Sequence, residues 1–483
     1  MRKFLTKLFF SIDRFLKKLL PSSALHIFHS FVARFARRIY PNTSINANLL
    51  DALSESTLGK LSPPPLPTWV YQDLEELKEL DATLHPKGQV VSSASFLEHP
   101  WTYDLPGTIY FDLINSLPDN IDFILIVPWL KTGGADLGAI HFANALADKF
   151  SKKVLLISTE DSPSPWKTRL SSNVCFIELG SRLSGLYFEH KIDILVRLLL
   201  QIKPKTMHVM NSRLGWECIK RNGIAIKQYT KIFSSLYCDD ISPIGQKIGF
   251  AQNYLMDCAS LLSGVISDNK TLPRNWVEGF GVSPDIFHTV YFPAPEGSSN
   301  LQNQPSKRIL WAGRMDRQKR PDILAEVAML LPDFQFDVYG TSVLNDSSKR
   351  PGTFPSNVNL KGRFDSFTSL TQKEDYFAYL YTSQWDGLPN VLLEAATAGI
   401  PIVASNVGAV SEFLEQEQLV TPFDKAENYA KLLNYLHAHP EVRSAWSKRQ
   451  LDKISSNHSY DSFISAIENI PNYLQSADIS QIN

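Results

Sequence analysis

Two carboxylates and two cations, with glycines beside them, stand at spacings that suit them to bind anions and hydroxyl groups. Asp386 and Glu394, with seven residues between them, lie in the stretch 381–412, YTSQWDGLPNVLLEAATAGIPIVASNVGAVSE. Gly387-Leu388-Pro389 comes just before an apolar helical run from Asn390, and proline is favoured at a first helical position. The free N–H groups of such a helix start suit phosphate or sugar hydroxyl oxygens. Asp386 then precedes the helix and Glu394 sits about a turn inside it, so both can face one cleft. Ionised carboxylates accept hydrogen bonds, as sugar and ribose diols require. The plainer alternative is an N-cap Asp and a solvated helix Glu.

A second stretch, ILWAGRMDRQKRPD (309–322), reads as a strand ending at Gly313, then Arg314 and Lys319, then a helix from about Pro321. Two cations at a strand's carboxyl end can clamp a diphosphate, Arg as a fork and Lys as a point charge. An anion clamp and a diol clamp in one α/β half suggest a nucleotide-sugar pocket.

The elements that must position these groups are legible as texture. Apolar runs at Phe123–Pro128, Val154–Ser158, Val174–Glu178, Thr206–Met210, Ile232–Tyr237 and Gly264–Ser267 read as strands. Helical patterns lie between them, among them Asp136–Lys149 and Phe188–Ile202. The alternation restarts with strands at Arg308–Ala312, Phe336–Tyr339, Val358–Lys361, Phe377–Tyr381 and Pro401–Ala404, and with helices at Ile323–Leu331, Asn390–Ala398 and Lys425–His437. Strands separated by helices of 10–15 residues imply βαβ units and parallel sheets. The loop Pro293–Ser306 divides the halves. Ligands in doubly wound folds sit at strand carboxyl ends, so a cleft between two such halves is the expected site.

Composition sets the frame. The chain has 483 residues, 44% apolar and 20% charged, with 48 basic and 49 acidic side chains. This is an ordinary globular balance over several domains, without the basicity that nucleic acid demands. Cys175, Cys218, Cys238 and Cys258 form no CxxC pair, which argues against a disulfide scaffold or a cysteine zinc site and fits a reducing cytosol. No GxxxxGK[ST] motif occurs, and Gly279 and Gly281 lack the third glycine of GxGxxG. P-loop ATPases and dehydrogenases are therefore disfavoured.

Charge concentrates at the amino end. Residues 1–40 carry nine Lys/Arg against one acid, Asp13, a net +8 that leaves −9 for the rest. Leu5, Leu8, Phe9, Ile12, Leu16 and Leu19 recur at helical steps, and the pattern repeats beyond Pro21. Basic amphipathic helices of this kind read as interfacial on an anionic leaflet; the alternatives are a helix pair packed on the protein's own body and a targeting peptide. Before Lys17 the longest charge-free run, Leu8–Ile12, is too short for a secretory core, and no apolar run reaches 18 residues. Ser62-Pro63-Pro64-Pro65-Leu66-Pro67 reads as an extended linker, followed by an acidic helical stretch from Asp73 to Leu84. The organisation expected is thus basic helices over 1–40, a linker and lead-in over 41–119, α/β domains over 120–300 and 301–450, and a helical tail over 451–483.

Residues 305–440 resemble the nucleotide-binding half of retaining GT-B glycosyltransferases in the large group called family 4. GRMDRQKRPD (313–322), the strand ending in Gly340, NVNLKG (357–362), and DGLPNVLLEA, GIPIVAS and the following G and E within 386–412 carry the likeness. The amino half is similar through FILIVPWLKTGGADLGAIHFANALAD (123–148). A GGAD loop with a TSxWDGLPN segment looks like a subgroup associated with bacterial surface polysaccharides.

The resemblance implies an α/β GT-B architecture, two Rossmann-like doubly wound domains facing across a cleft, here with an extra N-terminal helical segment. It implies that Arg314 and Lys319 bind the donor diphosphate, Glu394 the ribose and Asp386 the transferred sugar. The family often has Glu where Asp386 stands. The implied donor-binding set is Gly133, Gly134, Gly313, Arg314, Lys319, Gly387, Leu388, Pro389, Asn390 and Glu394, with Asp386, Arg314 and Lys319 catalytic. Many relatives carry an HxH-like pair after the fourth strand; here His208 matches the first position and Met210 the second, so one histidine is absent. His208 and Asn211 are the candidate acceptor-side residues, with a buried, hydrogen-bonded strand histidine as the alternative for His208.

Asp239 and Asp240 do not form a DxD motif, and relatives of this kind work without metal. The expectation is no cofactor beyond the nucleoside diphosphate sugar as co-substrate, a glycan or lipid-linked acceptor, no nucleic acid, and a cytoplasmic enzyme lying on the inner face of the cell membrane through residues 1–40. A GT-B sugar-nucleotide 2-epimerase and an inactive glycan-binding scaffold are the alternatives.

Overall fold

The structure, a computed structural model, describes residues 68–80, 105–297, 306–340, 353–364, 367–371 and 374–474. The expected basic helices over 1–40 and the linker up to Pro67 lie outside the described residues. The chain divides into two compact units, one of 1–119 and 182–198, the other of 120–181 and 199–483. In the first, helix Thr68–Leu80 starts directly after the proline run and covers much of the acidic stretch, and helix Leu105–Ser116 follows. Arg197 lies over the Tyr110 ring at 5.3 Å within this unit.

The second unit holds two sheets. The first comprises β1 (Phe123–Val127), β2 (Val154–Ser158), β3 (Val174–Glu178), β4 (Thr206–Met210), β5 (Lys231–Ser235), β8 (Gly264–Ser267) and β9 (Phe287–Thr289). A hairpin of β6 (Asp240–Ile241) and β7 (Lys247–Ile248) stands apart. The order is β3-β2-β1-β4-β5-β8-β9, with every neighbouring pair parallel. β1, β2 and β4 are buried along their whole length, as a parallel sheet covered on both faces requires, and that double burial is why they read as unbroken apolar runs.

The second sheet repeats the plan with β10 (Arg308–Ala312), β11 (Gln335–Tyr339), β12 (Val358–Gly362), β13 (Ala378–Tyr381), β14 (Ile402–Ser405) and β15 (Leu419–Val420). Its order is β12-β11-β10-β13-β14-β15, again all parallel. In both sheets the order reverses beside the first strand, between β1 and β4 and between β10 and β13. Those reversals open the crevices where doubly wound folds take ligands. Two Rossmann-like halves, as expected, are present.

The finer differences have physical reasons. β5 ends at Ser235, two residues before Tyr237, as the chain leaves the sheet towards the hairpin. Helix Gly134–Asn144 is followed by a π-helical turn, Ala145–Lys149. The carboxyl-terminal helix Pro440–Asn457 runs unbroken across position 451. Helix Tyr460–Glu468 follows, and Phe463, Ile467, Ile470 and Tyr473 join the core of the first sheet with Phe123, Phe142 and Phe233. Thr206 Oγ1 donates to the Tyr473 carbonyl across that return.

Candidate functional site

The second sheet's reversal brings two loops together. After β10 the chain runs Gly313 to Lys319, and after β13 it runs Thr382 to Pro389. Tyr379 on β13 donates its hydroxyl to the Ala312 carbonyl at 2.9 Å, tying the strand ends. Thr382 Oγ1 accepts from Trp311 Nε1 at 3.0 Å and donates to the Lys319 carbonyl at 2.7 Å. Gln318 Nε2 donates to the Trp385 carbonyl, and the Gln384 N–H to the Gln318 carbonyl. The two loops are therefore one hydrogen-bonded crest. Arg320 completes it in a left-handed conformation (φ 53°), strained backbone of a kind that collects at functional sites.

On this crest Lys319 Nζ pairs with Asp386 Oδ2 at 2.5 Å, their side chains only 16% and 17% exposed. Tyr381 donates its hydroxyl to the same oxygen and the Gly387 N–H donates to Oδ1 at 3.1 Å. Burial works to raise the Asp386 pKa, but Lys319, Tyr381 and the Gly387 N–H outweigh it and hold the carboxyl below its ordinary value. Arg314 Nε stands 3.1 Å from Asp316 Oδ2, and its guanidinium also donates to Gln318. Both expected cations are thus on the crest, each held by a carboxylate that a diphosphate could replace.

Helix Asn390–Thr397 begins beside them. Pro389 is its N-cap, extended at φ −73° and ψ 123°, one position earlier than expected, and no side chain caps the helix start. The Leu392 N–H turns back to the Pro389 carbonyl at 3.0 Å, and the Asn390 and Val391 N–H groups ahead of it are those a helix start leaves without intrahelical partners. Leu388 is buried in the second half's core, so it anchors the segment by packing. Glu394 lies one turn inside; burial pushes its carboxyl up to about 7, with Arg169 pulling the other way. Gly313 sits where an added Cβ would meet Trp311 and the Lys319 stem at 3.3 and 3.5 Å.

The first sheet contributes its own reversal. Gly133 caps helix Gly134–Asn144 in a fully extended conformation, and Asp136 accepts the Lys131 N–H at 3.0 Å. The Gly134 carbonyl accepts from Asn390 Nδ2 at 3.4 Å, and a Cβ on Gly134 would stand 3.3 Å from that nitrogen. The glycine loop therefore abuts the start of helix Asn390–Thr397. Asn211, left-handed at φ 54°, turns the chain out of β4 at the same edge.

His208 is a correction. It is fully buried, its Nδ1 shares a hydrogen bond with Tyr473 Oη and its Nε2 with Ser235 Oγ, both at 2.8 Å. Burial drives its pKa down to about 3. With both ring nitrogens engaged inside the core it has nothing to offer an acceptor, and the strand-histidine alternative holds.

Other residues of the site went unnamed in the sequence reading. Arg317, inside the GRMDRQKRPD stretch, donates to the Ile241 and Ser242 carbonyls of the hairpin and lies over the Trp385 ring at 4.6 Å. Asp268, just after β8, is buried; burial and the charges of Asp386 and Glu412 push it up to about 8 against the Asn269 hydrogen bond. Arg317 could have been found as a third cation of its motif. Asp268 carried no local signal.

Residues 306–439 match the family described as Glycosyl transferases group 1. The O-antigen biosynthesis glycosyltransferase WbnH of Escherichia coli is 26% identical over 272 residues, which cover 53% of this chain and 70% of WbnH. The solved glycosyltransferase from Rickettsia africae aligns at 14% identity with a TM-score of 0.56, over 74% of this chain and all of that one. The solved structure of TarM aligns at 18% identity with a TM-score of 0.49 over 58% of each chain, so little more than half of TarM is spanned. The fold is the two-domain GT-B architecture.

Proposed function

We propose that the protein is a retaining glycosyltransferase that moves a sugar from a nucleoside diphosphate sugar to a glycan or lipid-linked acceptor in surface polysaccharide assembly. One observation carries the reading: a shielded Lys319–Asp386 pair sits on the crest beside an uncapped helix start, with Glu394 one turn further in. Cations, N–H groups and two carboxylates thus follow the order diphosphate, transferred sugar, ribose. The match to group 1 glycosyltransferases falls on that half, and the name of WbnH supports the polysaccharide context. Nothing in the site favours the 2-epimerase or the inactive scaffold.

Breaking the bond from the anomeric carbon to phosphate leaves charge on the diphosphate. Arg314, Lys319 and the first-turn N–H groups after Pro389 would stabilise that charge more strongly than they bind the intact donor, which is the condition for lowering a barrier. Gly133 and Gly134 would close over the donor from the other half, and Asn211 would face the acceptor. A thermal-shift panel of UDP-, GDP-, dTDP- and ADP-sugars tests the reading. One base should raise the melting temperature, and that donor should then label a lipid-linked glycan. No shift with any of them would overturn it. The placement on a cytoplasmic membrane face rests on residues 1–40; equal binding of anionic vesicles with and without them would end it.

The raised pKa of Glu394 gives a pH signature. The ionised carboxylate accepts from both ribose hydroxyl groups, whereas the protonated form has given up one acceptor site. Nucleotide affinity should therefore fall as pH drops below about 7, by up to about tenfold per unit. Glu394→Gln should bind more weakly at pH 8 and keep only the pH dependence of the phosphates themselves. Calorimetric titrations from pH 5.5 to 8.5 that ran parallel for both proteins would remove Glu394 from the ribose contact.

A further inference from the structure

Glu412 lies in the second half, in the one-turn helix Val410–Phe413, yet its carboxylate is bound wholly by the first. Its Oε1 accepts from the Lys270 N–H at 2.9 Å, the Thr271 N–H at 2.7 Å and Thr271 Oγ1 at 2.6 Å. Its Oε2 accepts from the Tyr291 hydroxyl at 2.8 Å and again from the Lys270 N–H at 3.1 Å. Lys270, the N-cap of helix Thr271–Phe280, supplies no capping side chain; Asn269 takes the Leu272 N–H, and the Lys270 and Thr271 N–H groups go to Glu412. Glu412 thus caps a helix across the division between the halves, placing an anion where free N–H groups and the helix dipole favour one.

The same segment is fastened to the proposed catalytic backbone. Gly408 is left-handed at φ 54°, and a Cβ there would stand 1.8 Å from the Asp386 carbonyl oxygen. The Ala409 N–H donates to the Gly387 carbonyl at 3.3 Å. On the opposite side, Asn269 beside Lys270 is fully buried, accepts the Leu272 N–H and donates to the Tyr237 carbonyl at 3.1 Å. That carbonyl oxygen in turn lies 2.5 Å from where a Cβ would stand on Gly387, so only glycine fits. The contacts close a circuit: Glu412 to Thr271, Asn269 to Tyr237, Tyr237 against Gly387, and Gly387 back to Ala409. It crosses between the halves twice, once at Glu412 and once at Gly387.

We propose that Glu412 is a positioning residue that fixes the Asp386–Gly387 segment against the first half, and with it the distance between donor and acceptor, without touching either. The consequence for turnover rests on the transferase reading above; the positioning itself does not. A displacement of about 1 Å between reacting groups is enough to cost around a hundredfold in rate, so the latch should act on kcat while leaving nucleotide binding alone.

The test uses the full chain with Glu412→Ala, Glu412→Gln and Tyr291→Phe. Glu412→Ala should lower kcat at least tenfold while the affinity for the nucleoside diphosphate stays within twofold. Glu412→Gln keeps one acceptor oxygen for Thr271 and should recover part of the loss; Tyr291→Phe should cost least. Amide hydrogen exchange reads the latch without any turnover: Glu412→Ala should speed exchange in peptides spanning 386–389 and 237–240, which are remote from the changed side chain in sequence. Unchanged exchange there, or kcat within twofold of wild type in a folded Glu412→Ala protein, would overturn the proposal. So would a loss of nucleotide affinity parallel to that of kcat. If the wild type transferred no sugar at all, the transferase reading would fail while the exchange experiment still judged the latch.

Discussion

Lys319→Ala and Arg314→Ala are each expected to lower kcat/KM by roughly 10- to 200-fold, the range that corresponds to losing one charged hydrogen bond of about 1.5–3 kcal/mol. The loss should appear in kcat as well, because leaving-group charge grows towards the transition state. Both variants should weaken a nucleoside diphosphate more than the nucleoside, which has no phosphate to lose. Arg314→Lys should recover only part, since an ammonium cannot reproduce a bidentate fork. The two losses should differ in their pH profile. Lys319 neutralises Asp386 in a shielded pair, so removing it lets burial raise the carboxyl, and the acid limb of activity should move up towards neutrality. The linkage sign agrees: an acid held below its ordinary pKa adds stability above its unfolded value and loses it as pH falls through the folded one, and Lys319→Ala should erase that acid-side increment. Arg314 is 40% exposed and pairs with Asp316, so its removal should leave the profile where it was. Two solvated cations with no role would change neither rate beyond about 0.5 kcal/mol; near wild-type kinetics at fixed ionic strength would remove the diphosphate clamp.

The contrast between those two cations marks what the amino-acid order could and could not reveal. Strands such as Val154–Ser158, Thr206–Met210 and Arg308–Ala312 were legible to the residue because burial on both faces makes a parallel strand apolar throughout. The half-buried β9 and the two-residue β15 carry no such pattern and were not visible. Arg314, Lys319, Asp386 and Glu394 could be picked out because loops after strands hold function and their residue types suit anions and diols. Their pairing could not: Lys319 meets Asp386 across 67 positions, and only the strand order β10-β13 makes them neighbours. Glu412 stood at the end of a recognised stretch, but its partners lie more than 120 residues upstream. Burial of His208 could be read from its strand, but its partner could not, since Tyr473, which seals it, arrives from the far end of the chain.

Asp386→Asn should separate binding from chemistry in the opposite sense to Lys319→Ala. In the structure the carboxylate accepts from Lys319, from the Tyr381 hydroxyl and from the Gly387 N–H. An asparagine whose amide oxygen takes the place of Oδ2 keeps both Lys319 and Tyr381 as donors and gives up only the Gly387 N–H. The fold should therefore survive, with Tyr381 still buried at the end of β13. Lys319 loses its neutralising charge in this variant, so a nucleoside diphosphate should bind as tightly as to wild type or more tightly. Turnover should nonetheless fall by roughly 10- to 200-fold, because a charged acceptor for the transferred sugar's hydroxyl has gone. The double variant Lys319→Ala/Asp386→Asn should lose less than the product of the single losses, since each change alone leaves the other charge shielded and unpaired. Nucleotide affinities and single-turnover rates for the three proteins decide the matter. Equal weakening of nucleotide binding by Asp386→Asn and Lys319→Ala would mean that Asp386 serves only to hold the lysine, and the contact with the transferred sugar would have to be sought on another residue.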